Sequence, residues 1–401
     1  MNDLELPLFR ASMSSVFPYK SSIVITCFPR QSAWLAREVE ALGYEVVHTN
    51  VSEVEINGYM DDCLRLNMYL RTAGRVLFQL QRFRARDAKE LYKRIKSIPW
   101  ENYLHIDGYF SVTSYVRNEH ITDDRFANVR VKDAIADRLV EKTGKRPDSG
   151  PGRDHAVVHL YWKEDKVRLY FDTSGNTISK HGYRLHPFKA PMIESLAAST
   201  IIAGEWDRES PFVNPMCGSG TLAIEAAMMA INKAPGLLRE NFGFMHIKGY
   251  DQESWEGYQR LAGLQVKEEI DFKIIASDIS GEALRAARAN AKTAGVDHLI
   301  EFYRCDFRET PIPQENGVVM INPEYGERLG ADKDLEAIYK AIGDFFKQKC
   351  KGYRGLVFTG NLELAKHIGL RTKRRIEFLN AKIDSRLLTY ELYEGSRKGK
   401  E

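Results

Sequence analysis

The chain of 401 residues holds only five cysteines, Cys27, Cys63, Cys217, Cys305 and Cys350, and no C-x-x-C pair. Their odd number and wide scatter argue against a disulfide framework and a cysteine zinc site, and for a reducing compartment. Its ten histidines show no metal-ligand spacing and H-E-x-x-H is absent, so no metal is expected. No apolar run approaches the ~18–20 residues that cross a bilayer, so no membrane partner is expected. The opening stretch, MNDLELPLFRASMSS, carries acids and lacks an apolar segment followed by a small-residue cleavage site. A cytoplasmic chain is the expectation. Excess charge of one sign is missing too, since 58 Lys and Arg face 55 Asp and Glu. Net charge alone therefore demands no polyanionic partner.

Hydrophobic residues at 43% and charged residues at 28% belong to a folded chain rather than a disordered one. The length predicts roughly two or three domains. Residues 1–20 read as a tail. The run IVITCF after Ser22 reads as a strand, SAWLAREVEALGY as a helix stopped at Gly43, and EVVHTN as a second strand. A helix is predicted from Asp61 to Thr72, a strand at VLFQLQRF, and an amphipathic helix in ARDAKELYKRIKSIPW. FSVTSYV, AVVHLYW and KVRLYFD alternate as half-buried strands do. The first 170 or so residues thus read as small α+β units rather than one doubly wound sheet. The segment 173–187, rich in Gly, Ser, Thr and basic residues, reads as a linker.

Beyond Pro191 a helix precedes PFVNP, KIIASD, IEFYRCD, GVVMINP and GLVFTGN, with helix-length stretches between them. Strands alternating with helices imply a mostly parallel sheet flanked by helices. The last two runs, RRIEFLN and SRLLTYELY, are joined only by AKID and must be antiparallel. The fold class is therefore α/β: a Rossmann-like C-terminal half with a mixed sheet and an antiparallel last strand, preceded by an α+β region.

Ligands of such sheets sit beyond the carboxyl ends of the strands. The first strand ends in Asn214-Pro215-Met216-Cys217-Gly218-Ser219-Gly220-Thr221, where the glycines let backbone approach a ligand. It is neither a Walker A loop nor a full G-x-G-x-x-G. The second strand ends in Asp278, followed by Ile279; a carboxylate there can accept both hydroxyls of a ribose. The third ends in Asp306, followed by Phe307, with the acid suited to accept from an adenine amine. The fourth ends in Asn322-Pro323-Glu324-Tyr325. Asp278 lies 58 residues beyond Gly220, against ~20 in the simple dinucleotide-binding pattern. That gap implies an insertion, INKAPGLLRENFGFMHIKGYDQESWEGYQRLAG.

Pro211 through Ala227, Asp278, Asp306 and Asn322 through Leu329 resemble the motifs of class I S-adenosylmethionine-dependent methyltransferases. With FDTSG and HGYR within 171–184, FKAPMIESLAAS at 188–199, KAPGLLRENFGF and NPEYGERLG, the chain is most similar to THUMP-domain RNA guanine-N2 methyltransferases of the RlmL type, which act on 23S rRNA. Similar chains are often labelled N6-adenine-specific DNA methylases. The resemblance implies a ferredoxin-like subdomain at 21–75, an RNA-binding THUMP domain at 76–172 and a methyltransferase domain at 188–401. It implies that Asn214, Pro215, Cys217, Gly218, Ser219, Gly220 and Thr221 hold the methionine portion of S-adenosylmethionine. Asp278 and Ile279 would meet the ribose, Asp306 and Phe307 the adenine, and the helix bearing Ala190 and Glu194 would close over the cofactor. S-adenosylhomocysteine would be the product. Asn322 and Pro323 would accept the hydrogens of the target amine and Tyr325 would stack on its base. Glu324 stands where the family commonly has a second proline, and its carboxylate is complementary to the N1–H and 2-amino donors of guanine.

Structured RNA, most of all 23S rRNA, is the expected partner, with backbone contacts from Arg82, Arg84, Lys93, Arg94, Lys180 and Arg184. Two rival readings are an adenine-N6 methyltransferase of DNA or RNA, and a non-catalytic RNA-binding assembly factor. No feature sets an oligomeric state.

Overall fold

The computed structural model describes residue 13 and residues 15–119, 121, 123–188, 191–324 and 335–393. The chain divides into two compact units. One comprises the chain up to Cys27, Ala36–Ile178 and Arg239–Leu264; the other comprises Phe28–Leu35, Ser179–Leu238 and Gln265 onward.

In chain order the first unit contains β1 (Ser21–Thr26), the greater part of α1 (Ser32–Ala41), β2 (Val46–Thr49), β3 (Glu53–Gly58), α2 (Met60–Tyr69), β4 (Arg75–Arg84), α3 (Ala88–Lys96), β5 (Tyr109–Arg117), α4 (Asp124–Thr143), β6 (Asp148–Ser149), β7 (Ala156–Lys163) and β8 (Lys166–Asp172). Its strands form one sheet of eight in the order β2-β3-β1-β4-β8-β7-β5-β6. The small α+β units expected from the sequence lie edge to edge in this one sheet. The ten-residue β4 joins them: Arg75–Phe78 pair with β1, while Leu77–Arg84 pair with β8. β7 and β8 form a hairpin whose turn, Glu164-Asp165, places Glu164 at φ 53°. α4 carries Ala127, Val131, Ala134, Ile135 and Leu139 on its buried side and packs on β5.

Other parts of the first unit are more deeply built in than their sequence suggests. Phe17, within the predicted tail, is buried and stacks on Tyr103, with ring centroids 5.4 Å apart. Asp172, Thr173 and Ser174 are buried: the Arg75 guanidinium pairs with Asp172, and Ser174 Oγ donates to Asn67 Oδ1 at 2.6 Å. The start of the predicted linker is therefore interior structure. Part of the predicted insertion also belongs here, including α7 (Gln252–Leu264). Phe242, Phe244 and Trp255 form an aromatic cluster, and Phe244 N donates to Thr173 O at 3.0 Å.

The second unit contains α5 (Glu194–Ala203), β9 (Phe212–Pro215), α6 (Thr221–Ala230), β10 (Ile274–Asp278), α8 (Gly281–Ala294), β11 (Ile300–Arg304), β12 (Val318–Ile321), α9 (Leu335–Lys349), β13 (Arg354–Thr359), α10 (Leu362–Lys366), β14 (Arg374–Asn380) and β15 (Ile383–Glu391). Adjacent apolar strand residues face opposite ways, as the pleat requires. Phe212 and Met320 enter the core under α6; Val213, Val319 and Ile321 enter the core under α9. The sheet order is β11-β10-β9-β12-β13-β15-β14. The pairs from β11 to β13 are parallel, and β15 runs antiparallel to both neighbours. Strand order reverses between β9 and β12, which opens a crevice at their carboxyl ends.

No helix among the described residues is long and apolar enough to cross a membrane. Those residues also contain no His, Cys, Asp or Glu cluster that could hold a metal ion.

Candidate active site

The loop after β9 is shaped by three residues with positive φ: Met216 at 55°, Gly218 at 56° and Gly220 at 84°. Glycine is the residue that takes this conformation without strain. A Cβ at Gly218 would meet nothing within 4 Å, so the backbone there is open to a ligand. At Gly220 a Cβ would fall 2.9 Å from Ala287 Cβ, so absence of a side chain lets α6 lie against α8.

Hydrogen bonds tie this loop to the neighbouring strand ends. Cys217 N donates to Ser277 O at 2.9 Å, and Gly218 N donates to Asp278 Oδ2 at 3.0 Å. Asp278 Oδ1 accepts from Ser280 N at 2.9 Å, so the carboxylate is fixed while each oxygen keeps a free lone pair. On the other side Asn214 Nδ2 donates to Met320 O at 2.9 Å, joining the ends of β9 and β12. The next residues after β12 are Asn322, Pro323 and Glu324. Asn322 Oδ1 and Asn214 Oδ1 are buried acceptors without a donor. Buried amide oxygens are nearly always hydrogen-bonded, so such atoms mark places prepared for a ligand's N–H or O–H.

Asp306 caps the short helical turn Phe307–Glu309. Its carboxylate forms a two-pronged ion pair with Arg308, both bonds 2.8 Å. Arg308 holds the Asp306 carboxyl below its ordinary range. Phe307 is buried beneath this turn, whereas Ile279 is 70% exposed beside Asp278. Cys217 is buried, and burial pushes its thiol above the usual range, so it is a packing residue rather than a nucleophile. The expected residues of β9, β10, β11 and β12 are thus gathered at one end of one sheet. Tyr325 and Ala190 lie outside the described residues.

A polar network that sequence reasoning passes over supports the start of α6. Glu225, inside the apolar helix LAIEAAMMA, is fully buried. Its Oε1 accepts from Tyr183 Oη at 2.8 Å and lies 2.8 Å from His181 Nδ1. One acid within an otherwise apolar helix was the available signal. Beside this network Arg184 bonds Met192 O and Thr221 Oγ1 and lies 3.4 Å from Glu194 Oε2. Burial raises the Glu194 carboxyl above its ordinary range, with Arg184 opposing the shift. The Arg184 side chain is only 13% exposed, which corrects its expected role as an RNA backbone contact. Its charge is committed to organising α5 and α6.

The remaining predicted cations differ. Lys180 is exposed. Arg82 is exposed on β4; Arg84, Lys93 and Arg94 line, with Arg86, a pocket of about 600 Å³ on the first unit. Glu90 and Asp165 share that lining, and Asp165 lies 3.4 Å from Arg84.

The model of the RMKL-like methyltransferase domain matches residues 181–389, that of the RlmL ferredoxin-like domain 22–77, and that of the THUMP domain 85–172. The chain belongs to the RMKL-like methyltransferases. Its methyltransferase domain lies C-terminal to the ferredoxin-like and THUMP domains. It is 36% identical to the ribosomal RNA large subunit methyltransferase K/L of Syntrophotalea carbinolica, with 90% of this chain aligned. The alignment covers 52% of that relative, so this chain spans about half its length. Among solved structures, SMU.472 complexed with SAH superposes with a TM-score of 0.84 at 26% identity, covering 94% of this chain and 99% of that one. A predicted N6-adenine-specific DNA methylase from Listeria monocytogenes superposes at 0.83 and 29% identity, covering 94% and 97%.

Proposed function

We propose that this RMKL-like methyltransferase uses S-adenosylmethionine to methylate the exocyclic N2 of a guanine in structured RNA, the large-subunit ribosomal RNA. The observation that carries the reading is Asn322 Oδ1: a buried acceptor without a donor at the end of β12, across the strand-order switch from the glycine loop. The THUMP domain and the large-subunit RNA named for the relative support RNA as the substrate. That substrate in turn implies a cytoplasmic location.

The residues present fit the cofactor. Gly218 leaves open space above its backbone, and Asp278 retains lone pairs for two ribose hydroxyls. Asp306 can accept an adenine amine on the lone pairs Arg308 leaves free. Glu194, at the start of α5, has a buried Oε2 that is ion-paired with Arg184 at 3.4 Å and accepts no hydrogen bond. When bound, S-adenosylmethionine supplies an electrophilic methyl group on a sulfonium. Asn322 Oδ1 and the Pro323 carbonyl accept the two hydrogens of the target amine and so hold its lone pair toward that methyl. Proximity and orientation supply most of the acceleration, up to ~7–11 kcal/mol in well-aligned systems. The target base leaves its stack to reach the crevice, with Tyr325 as its stacking partner. Glu324 accepts from guanine N1–H and disfavours adenine, whose N1 is an acceptor.

Nucleoside analysis of ribosomal RNA from cells lacking this chain tests the reading. Loss of N2-methylguanosine supports it. Loss of N6-methyladenosine instead supports the second reading, to which the Asn322-Pro323 pair and the Listeria relative's name lend weight. Failure to bind S-adenosylmethionine in calorimetry supports a non-catalytic assembly factor.

A further inference from the structure

Register across four adjacent strands of the first unit builds an array on one sheet face. Tyr115 pairs with Tyr161, Tyr161 with Arg168, and Arg168 with Arg82. Two residues along, Arg117 pairs with Lys163, Lys163 with Lys166, and Lys166 with Arg84. Directly paired residues share a face, and so do residues two apart on one strand. The face therefore carries two tyrosines and six cations within four strands, roughly 14 Å across. All six cations are exposed, and Tyr115 is 42% exposed.

The array works against the fold's own stability. Like charges directly opposite across strands are destabilising, and four such pairs occur here. Acids answer only part of this charge: Glu55 lies 3.6 Å from Arg168, where Glu53 also acts, and Asp165 lies 3.4 Å from Arg84. The opposite face buries Val116, Trp162, Val167 and Leu169, so packing explains the apolar alternation and leaves the cations unexplained. The tyrosines stack with ring centroids 5.3 Å apart and planes within 10°, and the Arg117 guanidinium lies 5.0 Å from the Tyr115 ring centre. On the same face Tyr161 packs against Val24, Leu77 and Tyr170. A flat, braced, half-exposed ring edged by cations suits a nucleobase with phosphates on either side.

The geometry points to an unpaired RNA strand as the occupant of this face: one base stacks on Tyr115, and the flanking phosphates pair with Arg117, Lys163, Lys166, Arg168, Arg82 and Arg84. Duplex RNA does not fit the role, since its bases are stacked on one another and closed to Tyr115. Arg117 and Arg86 also line a neighbouring cavity of about 580 Å³, and Arg86 and Asp165 are shared with the Arg84–Lys93–Arg94 pocket, which continues the strand's path. This inference rests on the reading of RNA as substrate and adds the form of RNA and its place of contact.

The test is fluorescence anisotropy of the full chain with a short labelled single-stranded RNA and with its duplex. Base–aromatic stacking is worth ~1–3 kcal/mol, so Tyr115→Ala should weaken single-strand binding roughly tenfold. Tyr115→Phe keeps the ring and should stay within about twofold. Lys163→Gln and Lys166→Gln should each reduce the salt slope by up to about 1. Calorimetric binding of S-adenosylmethionine should be unchanged in all four. Wild-type binding that Tyr115→Ala leaves intact, or tighter binding of duplex than of single strand, overturns the platform and leaves the methyltransferase reading standing. A protein partner lost in Tyr115→Ala, with RNA affinity unchanged, overturns it too. A wild-type chain that neither binds nor methylates RNA overturns both.

Discussion

Asn322 and Glu324 divide the proposed chemistry at the scale of single residues. Asn322→Ala removes an acceptor whose value is greatest when the amine is aligned, so methyl transfer should fall roughly 10²-fold or more. Cofactor affinity, measured by calorimetry, should stay within about threefold; an equal loss of both would make Asn322 a cofactor ligand instead. Glu324→Gln should reduce turnover on guanine far more than cofactor affinity, and unchanged turnover would remove the carboxylate from base selection. Both residues were legible because acids and amides at successive strand ends stand out against apolar runs. Arg184 was not. A cation within a Gly- and Ser-rich stretch reads as surface, and only its distant partners Thr221 and Glu194 reveal that it is interior. Glu225 escaped notice because its partners, His181 and Tyr183, lie more than forty residues earlier.

At the scale of elements, the glycine loop and the long sheet of the first unit each make a measurable demand. Gly220→Ala places a Cβ 2.9 Å from Ala287 Cβ at a φ of 84°. Strain and overpacking should cost ~1–3 kcal/mol. Thermal unfolding should therefore begin several degrees lower, by ~2–4 °C per kcal/mol; an unchanged midpoint would mean the α6–α8 contact yields freely. On β7, His159 Nδ1 lies 2.8 Å from Thr113 Oγ1, and burial with Arg75 and Arg153 nearby lowers its pKa from 6.5 to about 4. The unfolded chain binds this proton more readily, so the folded state loses stability as pH falls from about 6.5 to about 4. His159→Gln should flatten that part of the denaturation profile, and an identical slope would exclude His159 as a source. The individual strands β5, β7 and β8 were legible from alternation. Their union with β1 through β4 was not, because Leu77 and Asp172 pair across nearly a hundred residues and nothing local encodes that choice.

At the scale of the whole molecule, sequence blocks and compact units differ. The C-terminal half reads as one run of alternating strands and helices, yet Arg239–Leu264 folds with the first unit and Phe28–Leu35 with the second. A fragment of residues 181–401 would leave Phe242, Phe244 and Trp255 without Thr173 and their other first-unit neighbours. Limited proteolysis should cut that fragment within 239–264, while the full chain stays protected there; equal protection would show that the segment folds without the first unit. Methyl transfer from labelled S-adenosylmethionine to large-subunit ribosomal RNA, followed by digestion to nucleosides, tests the central claim most directly. The account predicts label in N2-methylguanosine with the wild-type chain and almost none with Asn322→Ala. Label in another nucleoside, or undiminished label with Asn322→Ala, would contradict it.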